Sequence, residues 1–230
     1  MKLLNLTSIL ATLAISTSAM SADVRVAHLS PDAPAVDVLV NGAVAFSNAS
    51  FGEFTDYAPL PAGEYLIQVV PTGATEPVVI ETTLDVPSHG DFTVAAINEL
   101  ADITATVFED QNIRIPGSTR VRFVHASPGT PAVDIALADG GAVLFSDVSY
   151  GESGGYITVP GGIYDLEARV AGTDTVALSL PGVALSGGTG VTVWASGLLG
   201  GTPPLGVAYC SAKNSFVQAQ TVRRGPLAVF

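Results

Sequence analysis

The chain has 230 residues, of which 21 are acidic and 9 are Lys or Arg, for a net charge of −12 at neutral pH. That balance argues against a sequence-independent hold on nucleic acid, because phosphate binding needs clustered basic side chains. Cys210 is the only cysteine, so neither an intramolecular disulfide nor a lipid-modified cysteine near the start is available, and stability must come from packing.

Residues 1–22 read as a secretory signal. Lys2 supplies the positive start, residues 3–15 are mostly apolar, and Ala19, Ser21 and Ala22 offer cleavage positions in a small-residue exit. The apolar run is short for a bilayer span and no later run is long enough. The mature chain is therefore expected outside the cytoplasm, periplasmic or extracellular, with no transmembrane span.

Residues 24–29 and 36–40 then alternate between apolar and other side chains and are rich in valine, which predicts half-buried strands. Further candidate strands cover residues 43–47, 55–59, 64–70, 78–84, 91–97 and 103–109, bounded by turn chemistry such as Asn41-Gly42 and Ser88-His89-Gly90. This density of short strands, with no convincing amphipathic helix, predicts an antiparallel β-sandwich. An outer-membrane barrel also alternates, but its strands are longer and girdled by aromatics, which are sparse here.

His28 opens the phrase His-Leu-Ser-Pro-Asp-Ala-Pro-Ala-Val-Asp, and His125, 97 residues later, opens His-Ala-Ser-Pro-Gly-Thr-Pro-Ala-Val-Asp. Gly52-Glu53 recurs as Gly151-Glu152, Tyr57 as Tyr156 and Pro61 as Pro160, now at a spacing of 99, so two residues are inserted near Asp139-Gly140-Gly141. The chain is a tandem duplication whose period is that of a small domain, not of a solenoid repeat. It divides into units at 23–114 and 115–211 and a tail at 212–230. The linker around residues 110–118 is too short to let the units tumble freely. Charge is uneven: residues 23–116 hold 14 acidic and 2 basic side chains, residues 117–230 hold 7 and 6.

The prolines of the repeated phrase prescribe a rigid, non-helical corner. Alternation places His28 on the face of Val24 and Val26, and His125 on that of Val121 and Phe123. Each imidazole is thus expected inside, satisfied by the corner's backbone or by the serine hydroxyl. His28, Ser30 and Asp37, with His125, Ser127 and Asp134, are also the residue types of a hydrolytic triad. A serine followed by proline lacks the next N–H for an oxyanion hole, and no Gly-x-Ser-x-Gly elbow exists, so no catalytic residue is assigned. His28 with Asp32 or Asp37 offers zinc-ligand types, but Gly129 replaces Asp32 in the second copy and no calcium-loop motif is present. No metal and no cofactor is assigned. Asp37 and Asp134 are expected to anchor loop amides.

Phe51 with Glu53, and Tyr150 with Glu152, pair an aromatic with a carboxylate, which suits either a carbohydrate platform or the covering of a sheet edge. Trp194 and Tyr209 read as core. In the tail, Arg223 and Arg224 precede an apolar stretch reaching Phe230. This segment would dock on the acidic unit of a neighbour, add an edge strand, or form an ordinary extra strand.

The doubled phrase, the Phe/Tyr-Gly-Glu element and the Pro-x-Gly-x-Tyr pattern at Pro61 and Pro160 resemble the secreted family catalogued as domain of unknown function 4397. The resemblance implies exported, immunoglobulin-like all-β modules, often in tandem, with no established activity. The resulting expectation is two tandem immunoglobulin-like antiparallel β-sandwich domains that act without catalysis in the cell envelope or extracellular space. A structural, adhesive or assembly role comes first, a carbohydrate- or metal-binding module is the alternative, and a hydrolase is third. The expected partners are a second copy, another envelope protein or a glycan.

Overall fold

Short alternating segments interrupted by Gly, Asn and Pro can satisfy their backbone groups only by pairing with one another. The computed structural model describes residues 20–211, which form sixteen strands and one 3-10 turn at Leu100–Asp102. In the first repeat these are β1 (Ser21–His28), β2 (Val36–Val40), β3 (Ala43–Ala49), β4 (Ala58–Pro61), β5 (Gly63–Pro71), β6 (Ile80–Val86), β7 (Asp91–Ile97) and β8 (Thr104–Asp110). They make two four-stranded sheets, ordered β4-β1-β7-β8 and β3-β2-β5-β6.

The second repeat follows the same path with β9 (Ser118–His125), β10 (Val133–Leu137), β11 (Val143–Val148), β12 (Ser153–Pro160), β13 (Gly162–Val170), β14 (Val176–Leu185), β15 (Thr189–Ser196) and β16 (Gly206–Ser211). Its sheets, β12-β9-β15-β16 and β11-β10-β13-β14, match those of the first repeat strand for strand. Both units are β-sandwiches with antiparallel pairing, except that β1 runs parallel to β7 and β9 to β15. Val26, Val38, Ile67 and Val69 centre one core, and Phe123, Ile135, Phe145 and Leu180 the other.

Two expectations need correction. The strand predicted at residues 55–59 lies instead at Ala58–Pro61. The Val26 amide donates to the Thr55 hydroxyl oxygen (2.9 Å), so a side chain occupies that rung and continuous pairing begins only at Val24 opposite Ala58. The second correction concerns β1 and β9, which are not half-buried. Their inner faces, with Val24 and Val26 or Val121 and Phe123, fill the sandwiches, while their outer faces, with Arg25 and Ala27 or Arg122 and Val124, are buried as well. The sheet containing β1 packs back to back on the sheet containing β9. One apolar cluster there joins Ala27, Leu29, Ile97 and Phe108 to Val124, Trp194 and Cys210.

Candidate functional site

At each corner the two repeated sequence elements prove to be bonded to each other. The His28 amide donates to the Glu53 carbonyl (3.0 Å) and the Gly52 amide to the His28 carbonyl (2.8 Å). His125 makes the same pair with Glu152 (3.0 Å) and Gly151 (2.8 Å). Gly52 and Gly151 take φ values of +84° and +78° to turn the chain back, a conformation that costs other residues strain. The Phe/Tyr-Gly-Glu element is therefore the clasp on the strand that ends at the histidine.

Both imidazoles are fully buried. Nε2 of His28 meets the Pro34 carbonyl at 2.9 Å and Nε2 of His125 the Pro131 carbonyl at 3.1 Å. A carbonyl only accepts, so Nε2 carries the proton in both rings. Burial lowers both imidazole pKa values, opposed by the proline carbonyls and, for His28, by Glu53. The rings are neutral wedges in the corner.

The remaining members of the phrase are bonded elsewhere. Asp37 accepts the amides of Asn48 (2.8 Å) and Gly73 (2.9 Å), and Asp134 those of Asp147 (2.7 Å) and Gly172 (2.9 Å). Asn48 and Asp147 have φ of +55° and +51°, so each aspartate pins a bulge where the β2–β3 and β10–β11 registers shift. The amides of Gly73 and then Asn48 hold the Asp37 carboxyl below its ordinary pKa. Asp32 accepts the Leu100 amide (2.7 Å) and so secures the 3-10 turn.

Ser127 bonds Thr130 Oγ1 (2.7 Å) and the Gly197 carbonyl (2.6 Å) through its hydroxyl, while its amide donates to His125 Nδ1 (3.3 Å). In the first repeat Ala33 stands where Thr130 does, and the buried Ser30 hydroxyl and His28 Nδ1 have no hydrogen-bond partner. Neither corner contains a serine hydroxyl bonded to its histidine and a histidine bonded to its aspartate. Among the described residues no group of three or more His, Cys, Asp or Glu is placed to hold a metal ion.

Phe51 is half-buried. Tyr150 sets its ring edge-on to His125 at 6.2 Å and packs against the cluster between the repeats. Burial pushes its hydroxyl pKa up to about 12. The tail residues Arg223, Arg224 and Phe230 lie outside the described residues.

The interface between the repeats holds a polar network that sequence reasoning missed. Arg25 Nε donates to Thr93 (2.8 Å), and its terminal nitrogens reach Cys210 Sγ (3.0 Å) and the Ser211 carbonyl (3.2 Å). Arg122 bonds Thr192 (3.1 Å) and the Glu109 carbonyl (2.8 Å). Asp110 serves both guanidinium groups, pairing tightly with Arg122 and lying 3.5 Å from Arg25, and it also accepts the Tyr57 hydroxyl (2.7 Å). Arg25 stacks over Tyr57 at 4.5 Å and Arg122 over Tyr156 at 4.8 Å. Arg25 and Arg122, Thr93 and Thr192, and Tyr57 and Tyr156 are equivalent positions of the two copies, so the network is nearly two-fold, with Asp110 from the end of β8 at its centre.

Trp194 fills the apolar side of this interface. It lies edge-on to Phe108 (5.1 Å), tilted against Phe54 (5.6 Å), and donates its indole N–H to Cys210 Sγ (3.1 Å). Burial raises the Cys210 thiol pKa against the pull of Arg25. The one signal that pointed to this arrangement was the recurrence of an arginine three residues before each histidine.

These features define a tandem pair of β-sandwich modules joined through one sheet of each. The chain belongs to the family described as domain of unknown function (DUF4397), whose model matches residues 22–136 and 121–209. None of the curated proteins compared with the chain matches it.

Proposed function

We propose that the protein is an exported, non-catalytic component of the cell envelope or extracellular space, in which two fused modules form one stiff unit for assembly or adhesion. The observation that carries this reading is the buried interface. Arg25, Arg122, Asp110 and Trp194 join the repeats through side chains with almost no exposure, whereas independently moving domains usually meet through smaller, wetter contacts. The absence of catalysis is supported by the corners, where each histidine bonds a proline carbonyl, each aspartate bonds loop amides, and neither serine hydroxyl bonds its histidine.

Export rests on residues 1–22. Ala22 is fully buried and pairs with Leu60, and β1 begins at Ser21, so processing after Ala19 leaves that strand whole while processing after Ala22 shortens it. The proposed partner is a second copy, with the basic, apolar segment containing Arg223, Arg224 and Phe230 docking on an acidic first repeat; another envelope protein or a glycan is the other class of partner. Light scattering on residues 20–230 and 20–211, at low and high salt, tests the self-association. Assembly lost on removal of the tail and on raising salt supports it; the same monomeric mass in all four samples rejects it.

A further inference from the structure

The two sandwiches share a topology but not an interior. Between its sheets the first repeat contains a cavity of about 190 Å³ lined only by apolar side chains, while the equivalent space in the second is about 20 Å³. Four equivalent positions carry most of the difference. Val26, Val38, Ala45 and Ala58 line the first, and Phe123, Ile135, Leu144 and Ile157 occupy the second. The larger set brings about eleven additional carbon atoms into the same frame, enough to restore ordinary interior packing.

Native interiors seldom keep a void of this size, and an engineered apolar cavity of about 150 Å³ stays dry and takes up benzene. Here the void has a mouth. Ala45 and Pro59 are exposed, and Phe46, Ala58 and Leu60 are half-buried along the edge strands β3 and β4. In the second repeat Leu144 and Ile157 line the smaller space across the same edge. The lining offers no charged or hydrogen-bonding side chain, so a guest gains affinity there through apolar burial alone. Residues 23–116, which contain the cavity, hold 14 acidic and 2 basic side chains, so a carboxylate head group at the mouth is repelled.

We propose that the first repeat is a binding site for the alkyl chain of a neutral amphiphile, with a chain of roughly seven or eight carbons inside and the polar end between β3 and β4. The second repeat is the filled, non-binding copy. This inference stands independently of the assembly reading, because the cavity lies inside one sandwich and not at the tail or the interface.

The test is a calorimetric titration of the full mature chain with 1-octanol and with octanoate, together with methyl NMR shifts of Val26, Val38 and Ile67. The expected result is saturable binding of one octanol with shifts confined to the first repeat. Octanoate is expected to be on the order of tenfold weaker at low salt, the gap closing as salt screens the surface. The variant Val26→Phe/Ala45→Leu/Ala58→Ile, which copies the three largest of these four differences, should abolish binding. A reciprocal variant, Leu144→Ala/Ile157→Ala, should create a second site, and it keeps the test open if the filled variant does not fold. Absence of saturable octanol binding by the folded wild type overturns the proposal, as does undiminished binding by a folded filled variant. Octanoate binding as tight as octanol at low salt overturns the assignment of a neutral head group.

Discussion

The first and second repeats agree where the chain turns its corners and diverge where they meet and in what they enclose. Both fix a neutral histidine under a proline carbonyl and both pin a bulge with an aspartate. At the interface the agreement becomes complementarity: Ala95 of one copy corresponds to Trp194 of the other, and Phe108 to Cys210, so that Trp194 packs on Phe108. Two identical sheets would have brought two indoles, or two alanines, to the same axis. A duplicated fold acquires an asymmetric join by exchanging large for small at paired positions, while the corner bonds preserve the frame.

The strongest way to break this arrangement is to remove the group shared by both copies. Asp110→Ala leaves Arg25 and Arg122 buried without their carboxylate, and removing one partner of a buried ion pair costs about 3–5 kcal/mol. Denaturant unfolding followed by Trp194 fluorescence and by circular dichroism should show a lower midpoint and separation of the two signals as the repeats uncouple. Coincident transitions at the wild-type midpoint would rule out the interface as the source of coupling.

A finer comparison uses the two serines. Ser127→Ala leaves the Thr130 hydroxyl and the Gly197 carbonyl each short of a bond, a loss of about 1–3 kcal/mol. Ser30→Ala removes a buried hydroxyl that has no hydrogen-bond partner, and the expected change is neutral or stabilising. Equal destabilisation by the two substitutions, measured from urea midpoints, would contradict the difference between the corners.

A smaller effect, opposite in sign, is expected from the hollow core. Ala58→Ile places in the first repeat the side chain that the second uses at Ile157, and cavity filling of this kind commonly adds about 0.5–2 kcal/mol. Thermal unfolding should shift upward. A downward shift means that β3 and β4 cannot admit the longer side chain, and that the narrowing of the second repeat requires its other substitutions too.

The sandwich, the duplication and the buried corner were legible because their signals are local. Alternation sets which side of β1 carries Val24, Val26 and His28, and turn residues bound the strands. The interface was not legible, since Arg25, Thr93, Arg122 and Thr192 occupy the alternate positions that ordinarily face water. Period two reports a difference between faces; it does not report that a second domain covers the polar one. The cavity escaped for another reason. Val26 and Phe123 both read as core, and only the summed volumes of facing residues show that one core is incomplete.

The mildest perturbation is a proton, and it acts on the feature the repeats share. His28 and His125 have folded pKa values below the ordinary 6.5 because burial disfavours their charge. Well above pH 6.5 both are neutral in either state, and their contribution does not vary. As the pH falls through 6.5 the unfolded chain takes up protons that the folded chain refuses, so stability declines until the lowered folded pKa values are reached. Asp37 acts in a separate window. Its folded pKa lies below 3.8, so its contribution persists above that pH and is lost as the pH drops further. Urea midpoints should therefore hold from pH 8 to 7 and fall between pH 6.5 and 5. His125→Gln, which retains a donor for the Pro131 carbonyl, should flatten that fall by about half if the two corners titrate alike. A wild-type midpoint that stays constant to pH 5 would mean that the buried imidazoles are protonated as readily in the folded chain as in the unfolded one.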